Sequence, residues 1–596
     1  MNTFIAEITA EIKQAFAAAA YRPDLGRVTV SNRPDLGDFQ CNGAMAGAKE
    51  YKKSPLAIAA EVAAQLADSA IFDTVTVAAP GFLNLSVKPS FVRDYLLRMC
   101  AEPRLGVATP EKPLTHIVDY GGANVAKPLH IGHLRSAIIG ESIKRIIRYA
   151  GHEAIADIHM GDWGLHMGLI IVELAERKPD LPYFAAEATG SYPDEAPFSL
   201  AELEEIYPCA SERSKRDDEY RQRAQKATSD LQNGHPGYRA IWRHIMRLSV
   251  ADLKKTYASL NVDFDLWKGE ADVHDLIAAM VADFERDGHA YLSEGALVID
   301  VAEEGDAKEI PPGLIRKSDG ASLYLTTDLA TIKDRMAHIA PDTIVYLTDQ
   351  RQAMHFIQLF RCARKTGLVG SETTLRHLGF GTMNGADGKP FKTRDGGVMR
   401  LEQLVAAINE EMYKKIVAAR TVTEDEAHET ARVVGLAALK YGDLSNQAAK
   451  DYIFDIDRFT SFEGDTGPYI LYTIVRIKSI LAKYAATGGT VTRGQLRGLD
   501  GHDGAAPDTA ALKKLMIALA AFNAMIAAAY EEIAPHRVAA YSYELANALN
   551  TFYHETKILT ESVNEKRAAY LALIDLTREI LETCIDLLGF SAPTRM

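Results

Sequence analysis

The run Asp119-Tyr120-Gly121-Gly122-Ala123-Asn124-Val125-Ala126-Lys127-Pro128-Leu129-His130-Ile131-Gly132-His133 constrains the fold more than any other stretch of the chain. The residues leading into it, Thr115 to Tyr120, read as a strand. Those after it carry an apolar stripe at helical spacing (Leu134, Ile138, Ile139, Ile143, Ile146, Ile147) that stops at Gly151. Glu153 to Met160 reads as a strand again. Strand, glycine-bearing loop, helix, strand is a βαβ unit. Such a unit sets two parallel strands side by side and leaves a mononucleotide site at its first turn.

Within the loop, Gly132 lets the backbone approach a nucleotide where a side chain would collide. His130 and His133 bracket it at the start of the helix, where free amides and the helix dipole already favour phosphate. Two imidazoles there can donate hydrogen bonds as charge builds during phosphoryl or nucleotidyl transfer. A bare His-x-x-His recurs by chance and most often marks surface or capping histidines. The strand–loop–helix context favours the nucleotide site, and by itself specifies nothing narrower.

Composition narrows the setting. A chain of 596 residues with 47% hydrophobic content can fill several cores. No run of about 18 apolar residues occurs, so no membrane span is expected. The five cysteines (Cys41, Cys100, Cys209, Cys362, Cys584) lie far apart, which argues against structural zinc and a disulfide framework and fits a reducing, cytoplasmic setting. A net charge of −14 does not exclude nucleic acid, because phosphate contacts depend on local basic patches.

Three regions follow from the pattern. Residues 1–108 read as an α+β module: a helix from Phe4 to Ala20, strand-like Val28 to Val30, a helix from Pro55 to Ala67, and strands Val75 to Val77 and Phe82 to Val87 turned by Ala79-Pro80-Gly81. Residues 109–460 read as α/β with a doubly wound parallel sheet. Strand-like runs at Ala296 to Asp300, Thr343 to Leu347 and Leu375 to Met383 alternate there with helices, around a polar helical insertion at about 178–250. Residues 461–596 read as an all-α helix bundle.

His-Ile-Gly-His resembles the first signature of class I aminoacyl-tRNA synthetases. The longer string from Asn124 to Ser136 is similar to that of bacterial-type arginyl-tRNA synthetases. The similarity continues through Gly161-Asp162-Trp163-Gly164, Glu463 to Tyr469, Tyr543 to Asn547 and the Ser591 to Met596 tail. It implies a Rossmann-like catalytic domain, an N-terminal domain that contacts tRNA and a C-terminal anticodon-binding bundle. It also implies ATP-dependent attachment of L-arginine to tRNA(Arg) through an arginyl-adenylate, releasing AMP and pyrophosphate. The partners so implied are L-arginine, ATP with Mg2+ and tRNA(Arg), with no zinc and a monomeric chain.

Carried over by position, the resemblance gives His130 and His133 the transferring phosphate, beside Gly132. Asn124 takes the amino acid's α-carboxylate or amine, and Asp119 its α-ammonium. A guanidinium presents five donors in a planar fork and accepts nothing, so it requires carboxylate partners. Trp267 to Glu270 and Tyr324 to Asp328 resemble the family's side-chain pocket, making Glu270, Tyr324 and Asp328, with Gln352, the arginine-binding candidates. A helix starting near Thr326 would let Tyr324 and Asp328 face one pocket. Taken without the resemblance, Asp328 is a helix-start acid and Glu270 a solvated charge.

The second class I signature corresponds to Gly388 to Gly397 and departs from the usual Lys-Met-Ser-Lys-Ser. Lys389, Lys392 and Arg394 still supply positive charge for ATP. Lys392 is the catalytic candidate among them, and Lys127 could compensate from the other side. Gly121-Gly122-Ala123 replaces the family's serine and proline. Small nucleotidyltransferases lack the helical tail, and cysteine- or methionine-type synthetases usually carry metal-binding cysteines. A noncatalytic paralogue would show erosion of these residues, and they are all present.

Overall fold

The structure is a computed structural model. It describes residues 1–127, 129–185, 191–318, 324–385, 387–389, 399–419, 423–499 and 509–596. The N-terminal module opens with the helix Phe4–Ala18, whose buried Phe4, Ile8, Ile12, Ala15 and Phe16 form one stripe. Thr3 caps it by accepting the Ala6 amide. Its sheet joins β1 (Val28–Val30), β2 (Phe39–Cys41), β3 (Phe72–Ala78) and β4 (Phe82–Val87) antiparallel in the order β1-β2-β4-β3. The helix expected from Pro55 stops at Ala64, and Val75 to Val77 is the middle of a longer strand.

Five parallel strands make the central sheet: β5 (Thr115–Asp119), β6 (Glu153–Met160), β7 (Leu266–Gly269), then β11 (Thr343–Asp349) and β12 (Thr374–Phe380). Their order is β12-β11-β5-β6-β7. Chain order thus reverses between β5 and β11, and such a switch point opens a crevice at the carboxyl ends of those two strands. Between them in sequence, β8 (Tyr291–Ser293), β9 (Ala296–Ile299) and β10 (Gly313–Arg316) form a separate antiparallel sheet. The run from Ala296 therefore does not belong to the parallel sheet as its apolar character suggested. Glu294 and Gly295 both take positive φ and fold it back on β8 as a two-residue hairpin, too short for a parallel crossover.

The helix Ile131–Tyr149 follows β5 and is buried along most of its length. The insertion forms the helices Leu200–Arg213, Asp218–Gln232 and Pro236–Ser259, so it extends nine residues beyond the expected limit near 250. Towards the C-terminus, the helix Glu424–Leu444 links catalytic region and bundle, Tyr441 donating its hydroxyl to Asp465 Oδ1 at 2.6 Å. The last helix, Asn564–Leu587, ends against the catalytic region. There Ser142 Oγ donates to the Leu587 carbonyl (2.8 Å), and Lys440 Nζ and Asn261 Nδ2 donate to that of Gly589 (2.8 and 3.0 Å). Among the described residues no single helix is long and apolar enough to cross a membrane.

Candidate active site

A cavity of about 520 Å³ opens at the switch point. Its walls are Asp119 to Gly122 at the end of β5, Leu347 to Asp349 at the end of β11, Asn124, and His130 to His133 at the start of the helix, with Gln352 and Gly381 to Met383. The strand–loop–helix reading and the observed cleft coincide.

His130 is the N-cap residue of the helix. Its Nδ1 accepts the Gly132 amide (3.0 Å), while His133 Nδ1 accepts the His130 amide (3.1 Å). Each Nδ1 is therefore an acceptor, so each ring carries its hydrogen on Nε2. Burial and the nearby Lys127 charge push His130 below the usual histidine range. His133 is pushed down to about 3, by burial first and then by His130 and Lys127. The pair is thus two neutral N–H donors, their rings 3.9 Å apart. Gly132 has a more specific reason than closeness to a nucleotide. A Cβ there would meet His130 Cε1 at 2.8 Å, so a side chain would displace the capping ring itself.

Two residues just beyond the signature turn out to fix its place. Ser136 Oγ accepts the Gly121 amide (2.9 Å) and donates to the Leu347 carbonyl (3.0 Å), joining the ends of β5 and β11 across the switch point. Arg135 is buried against Asp443 Oδ2 (2.9 Å) and donates to the Gly381 carbonyl (2.6 Å). Both close the string from Asn124 to Ser136 that carries the resemblance, and that membership was the only signal for them. Asn124 pairs through its backbone with Gly161, Val125 donating to the Gly161 carbonyl and Gly161 to that of Ala123 (both 3.1 Å). A Cβ on Gly161 would lie 2.4 Å from Asn124 Oδ1, so the two motifs meet only because that residue is glycine.

Asp119 edges the cavity, but its carboxylate is already engaged. Arg335 Nη2 bonds Asp119 Oδ2 (2.5 Å) and Asp157 Oδ2 (2.6 Å). Asp119 thus has an arginine partner inside the protein, which sequence reasoning did not foresee.

Glu270, Tyr324 and Asp328 do not line this cavity and instead form an adjoining acidic group. Burial pushes Glu270 up to about 7, helped by the negative charges of Asp162 and Asp328, while a hydrogen bond to the Trp163 backbone pulls it back. Asp162 is itself raised to about 7, mainly by burial. Tyr324 does not precede its helix as expected: the helix Tyr324–His338 already includes it, one turn before Asp328 and so on the same face. Tyr324 as a whole is 74% exposed, beside Glu270 and Tyr207. Gln352, in the short helical turn after β11, reaches the cavity wall instead.

Lys127 Nζ sits 4.4 Å from the centre of the Tyr207 ring, on the first insertion helix, and its charge is felt at both signature histidines. Lys389 is exposed at a turn where its amide donates to Asp387 Oδ1. Lys392 and Arg394 lie outside the described residues. The chain leaves the cavity wall at Met383 and returns beside the signature, Leu401 donating to the Leu129 carbonyl (3.0 Å) and Ile131 to that of Met399 (3.4 Å). The described residues on either side, Met383 and Met399, therefore both lie at the cavity or beside its signature helix.

A five-stranded parallel sheet with its cleft at the switch point and His-Ile-Gly-His capping the first helix define the catalytic domain of a class I aminoacyl-tRNA synthetase. A family model described as tRNA synthetases class I (R), catalytic domain, matches residues 98–456. Two more, described as DALR anticodon binding domain and Arginyl tRNA synthetase N terminal domain, match residues 470–596 and 4–87. The chain belongs to the arginyl-tRNA synthetase family. It is 58% identical to the arginine–tRNA ligase of Agathobacter rectalis and 51% identical to that of Alkaliphilus oremlandii, each alignment covering the whole of both chains. Solved arginyl-tRNA synthetases from Plasmodium falciparum (TM-score 0.81, 22% identity) and Thermus thermophilus (0.78, 23%) share its fold over the full length of both chains.

Proposed function

We infer that this chain attaches L-arginine to tRNA(Arg) in two steps. The arginine carboxylate oxygen first attacks the α-phosphorus of ATP, the bond to the β-phosphate breaks, and pyrophosphate leaves. A hydroxyl of the terminal tRNA ribose then attacks the acyl carbon of the arginyl-adenylate, and AMP leaves. The observation that carries this reading is the acidic group around Glu270, whose carboxyl is raised by burial and by the charges of Asp162 and Asp328, so that a cation meeting it is favoured. A guanidinium is such a cation, and its planar fork suits two carboxylates.

The 520 Å³ cavity then takes ATP and the reacting ends. Neutral Nε2–H donors on His130 and His133, aimed from a helix N-terminus, stabilise the charge that builds on the α-phosphate. Lys127 approaches the phosphates from the insertion side, and Lys389, Lys392 and Arg394 supply charge from the basic segment. Asn124 and the second oxygen of Asp119 hold the amino acid's α-substituents, and Gln352 closes the pocket. The two carboxylates on the cavity wall do not fit a resident metal. Asp119 is paired with Arg335 and Asp349 with Arg351. Mg2+ accordingly belongs to the incoming ATP.

Residues 1–108 and 461–596 contact the tRNA on either side of the catalytic region 109–460, in a monomeric, cytoplasmic enzyme. Within the bundle, exposed Tyr472 and Tyr553 sandwich Arg476 (4.8 and 5.3 Å) and offer faces for anticodon bases. Arginine-dependent ATP–pyrophosphate exchange, assayed with and without tRNA(Arg), tests the reading. Exchange with arginine is expected, and its absence under every condition refutes the assignment.

A further inference from the structure

The carboxylate of Asp328 does not stand alone. His355 Nε2 lies 2.6 Å from Asp328 Oδ2, and the two side chains are each 28% exposed. The residues come from different helices. Asp328 projects from Tyr324–His338, and His355 from the first turn of Ala353–Lys365, which follows β11 after the short turn Gln350–Gln352. An ionised carboxylate only accepts, so at this distance the imidazole nitrogen is the donor.

The donor is itself held in place. The His355 ring meets Phe356 edge-on (5.2 Å), and Phe356 stacks on His377 (4.4 Å), which bonds the Thr348 hydroxyl (3.0 Å). The imidazole therefore stands on a packed support that continues into the cavity wall at Thr348.

The terminal torsion of an aspartate is broad, so a carboxylate at a pocket wall does not orient itself. One fixed donor on Oδ2 selects a plane and leaves Oδ1 directed elsewhere. A planar guanidinium makes good hydrogen bonds only with acceptors lying in its own plane. We propose that His355 is a specificity-determining positioning residue: it acts through Asp328, holding one carboxylate oxygen so that the other meets the guanidinium of arginine. The proposal rests on the reading of Asp328 as part of the arginine pocket.

Pyrophosphate exchange on the full-length protein with tRNA(Arg) tests it. His355→Ala is expected to raise the KM for arginine about tenfold, as for loss of one well-placed hydrogen bond, and to leave the KM for ATP and kcat within about twofold. His355→Gln, whose amide nitrogen can donate from nearly the same position, is expected to recover most of that loss. In Asp328→Asn, adding His355→Ala is expected to cost nothing more, because the two act on one contact.

An unchanged arginine KM in His355→Ala overturns the proposal, as does a His355→Gln variant no better than alanine or a parallel rise in the KM for ATP. If Asp328→Asn itself leaves the arginine KM unchanged, the pocket reading fails and the proposal falls with it. If only His355→Ala is silent, the pocket reading stands and the positioning role alone is lost.

Discussion

Glu270 is a carboxyl held at about 7 by burial and by its neighbours Asp162 and Asp328. Below that pH it carries a proton, so it loses both its charge and an acceptor for the guanidinium. The KM for arginine should therefore rise as pH falls from about 8 to 6, steepening towards about tenfold per unit below 7, with the KM for ATP as control. Glu270→Gln should flatten that profile and raise the arginine KM about 10- to 100-fold throughout. A profile unchanged by the substitution would assign the titration to another group. Residue types and motif positions were enough to nominate Glu270 and Asp328. That Asp328 stands close enough to raise Glu270 is invisible in a linear chain, because the end of β7 and the helix Tyr324–His338 bring them together. The same is true of Asp119, whose partner Arg335 looked like any other helix cation.

The signature helix is fastened to the C-terminal half of the catalytic region by the Arg135–Asp443 pair, both ends of it buried. Removing one partner strands a charge in the interior, at a cost of about 3–5 kcal/mol. Arg135→Met should therefore lower stability by about that amount. Arg135→Met with Asp443→Leu should be less damaging than either single change, read from urea unfolding. Equal or summed losses would show that packing, not charge, dominates there. The elements around this helix were legible because their signals are local. β6 has the bounds its apolar pattern gave, and β5 and the helix end within a residue or two of their turn signals. β7 went unrecognised as a strand because four residues, Leu266-Trp267-Lys268-Gly269, carry too little periodicity. β9 was recognised as a strand and given the wrong sheet, since an apolar run specifies burial and not a partner.

At the scale of the whole molecule, four aromatics of the bundle take two different roles. Phe552 is fully buried and Tyr469 is tied by its hydroxyl to Asn547 and Asn550 (both 2.7 Å), so these two hold the bundle together. Tyr472 and Tyr553 remain exposed around Arg476. Stacking on a base is worth about 1–3 kcal/mol. Tyr472→Ala with Tyr553→Ala should therefore raise the KM for tRNA(Arg) in aminoacylation by at least about tenfold while the melting temperature holds. An unaltered tRNA KM would move the anticodon contact to another face. The bundle reaches the active region through its own C-terminal end, where Ser142 donates to the Leu587 carbonyl that ends its final helix and Lys440 and Asn261 donate to that of Gly589 just beyond it. Donors suit a helix C-terminus, whose last carbonyls are otherwise unpaired.

The sequence by itself determined the βαβ unit, the phosphate-facing helix start, the all-α tail and the family, because each is written in contiguous residues through periodicity, capping and motif spacing. The tertiary structure alone decided that the signature histidines are neutral Nε2–H donors and that Asp119 is spoken for by Arg335. It alone showed that Glu270, Asp162 and Asp328 share a field and that His355 holds one oxygen of Asp328. These are properties of burial and of distances between residues remote in the chain. Both are set by the order of strands in the sheet, which no local pattern encodes.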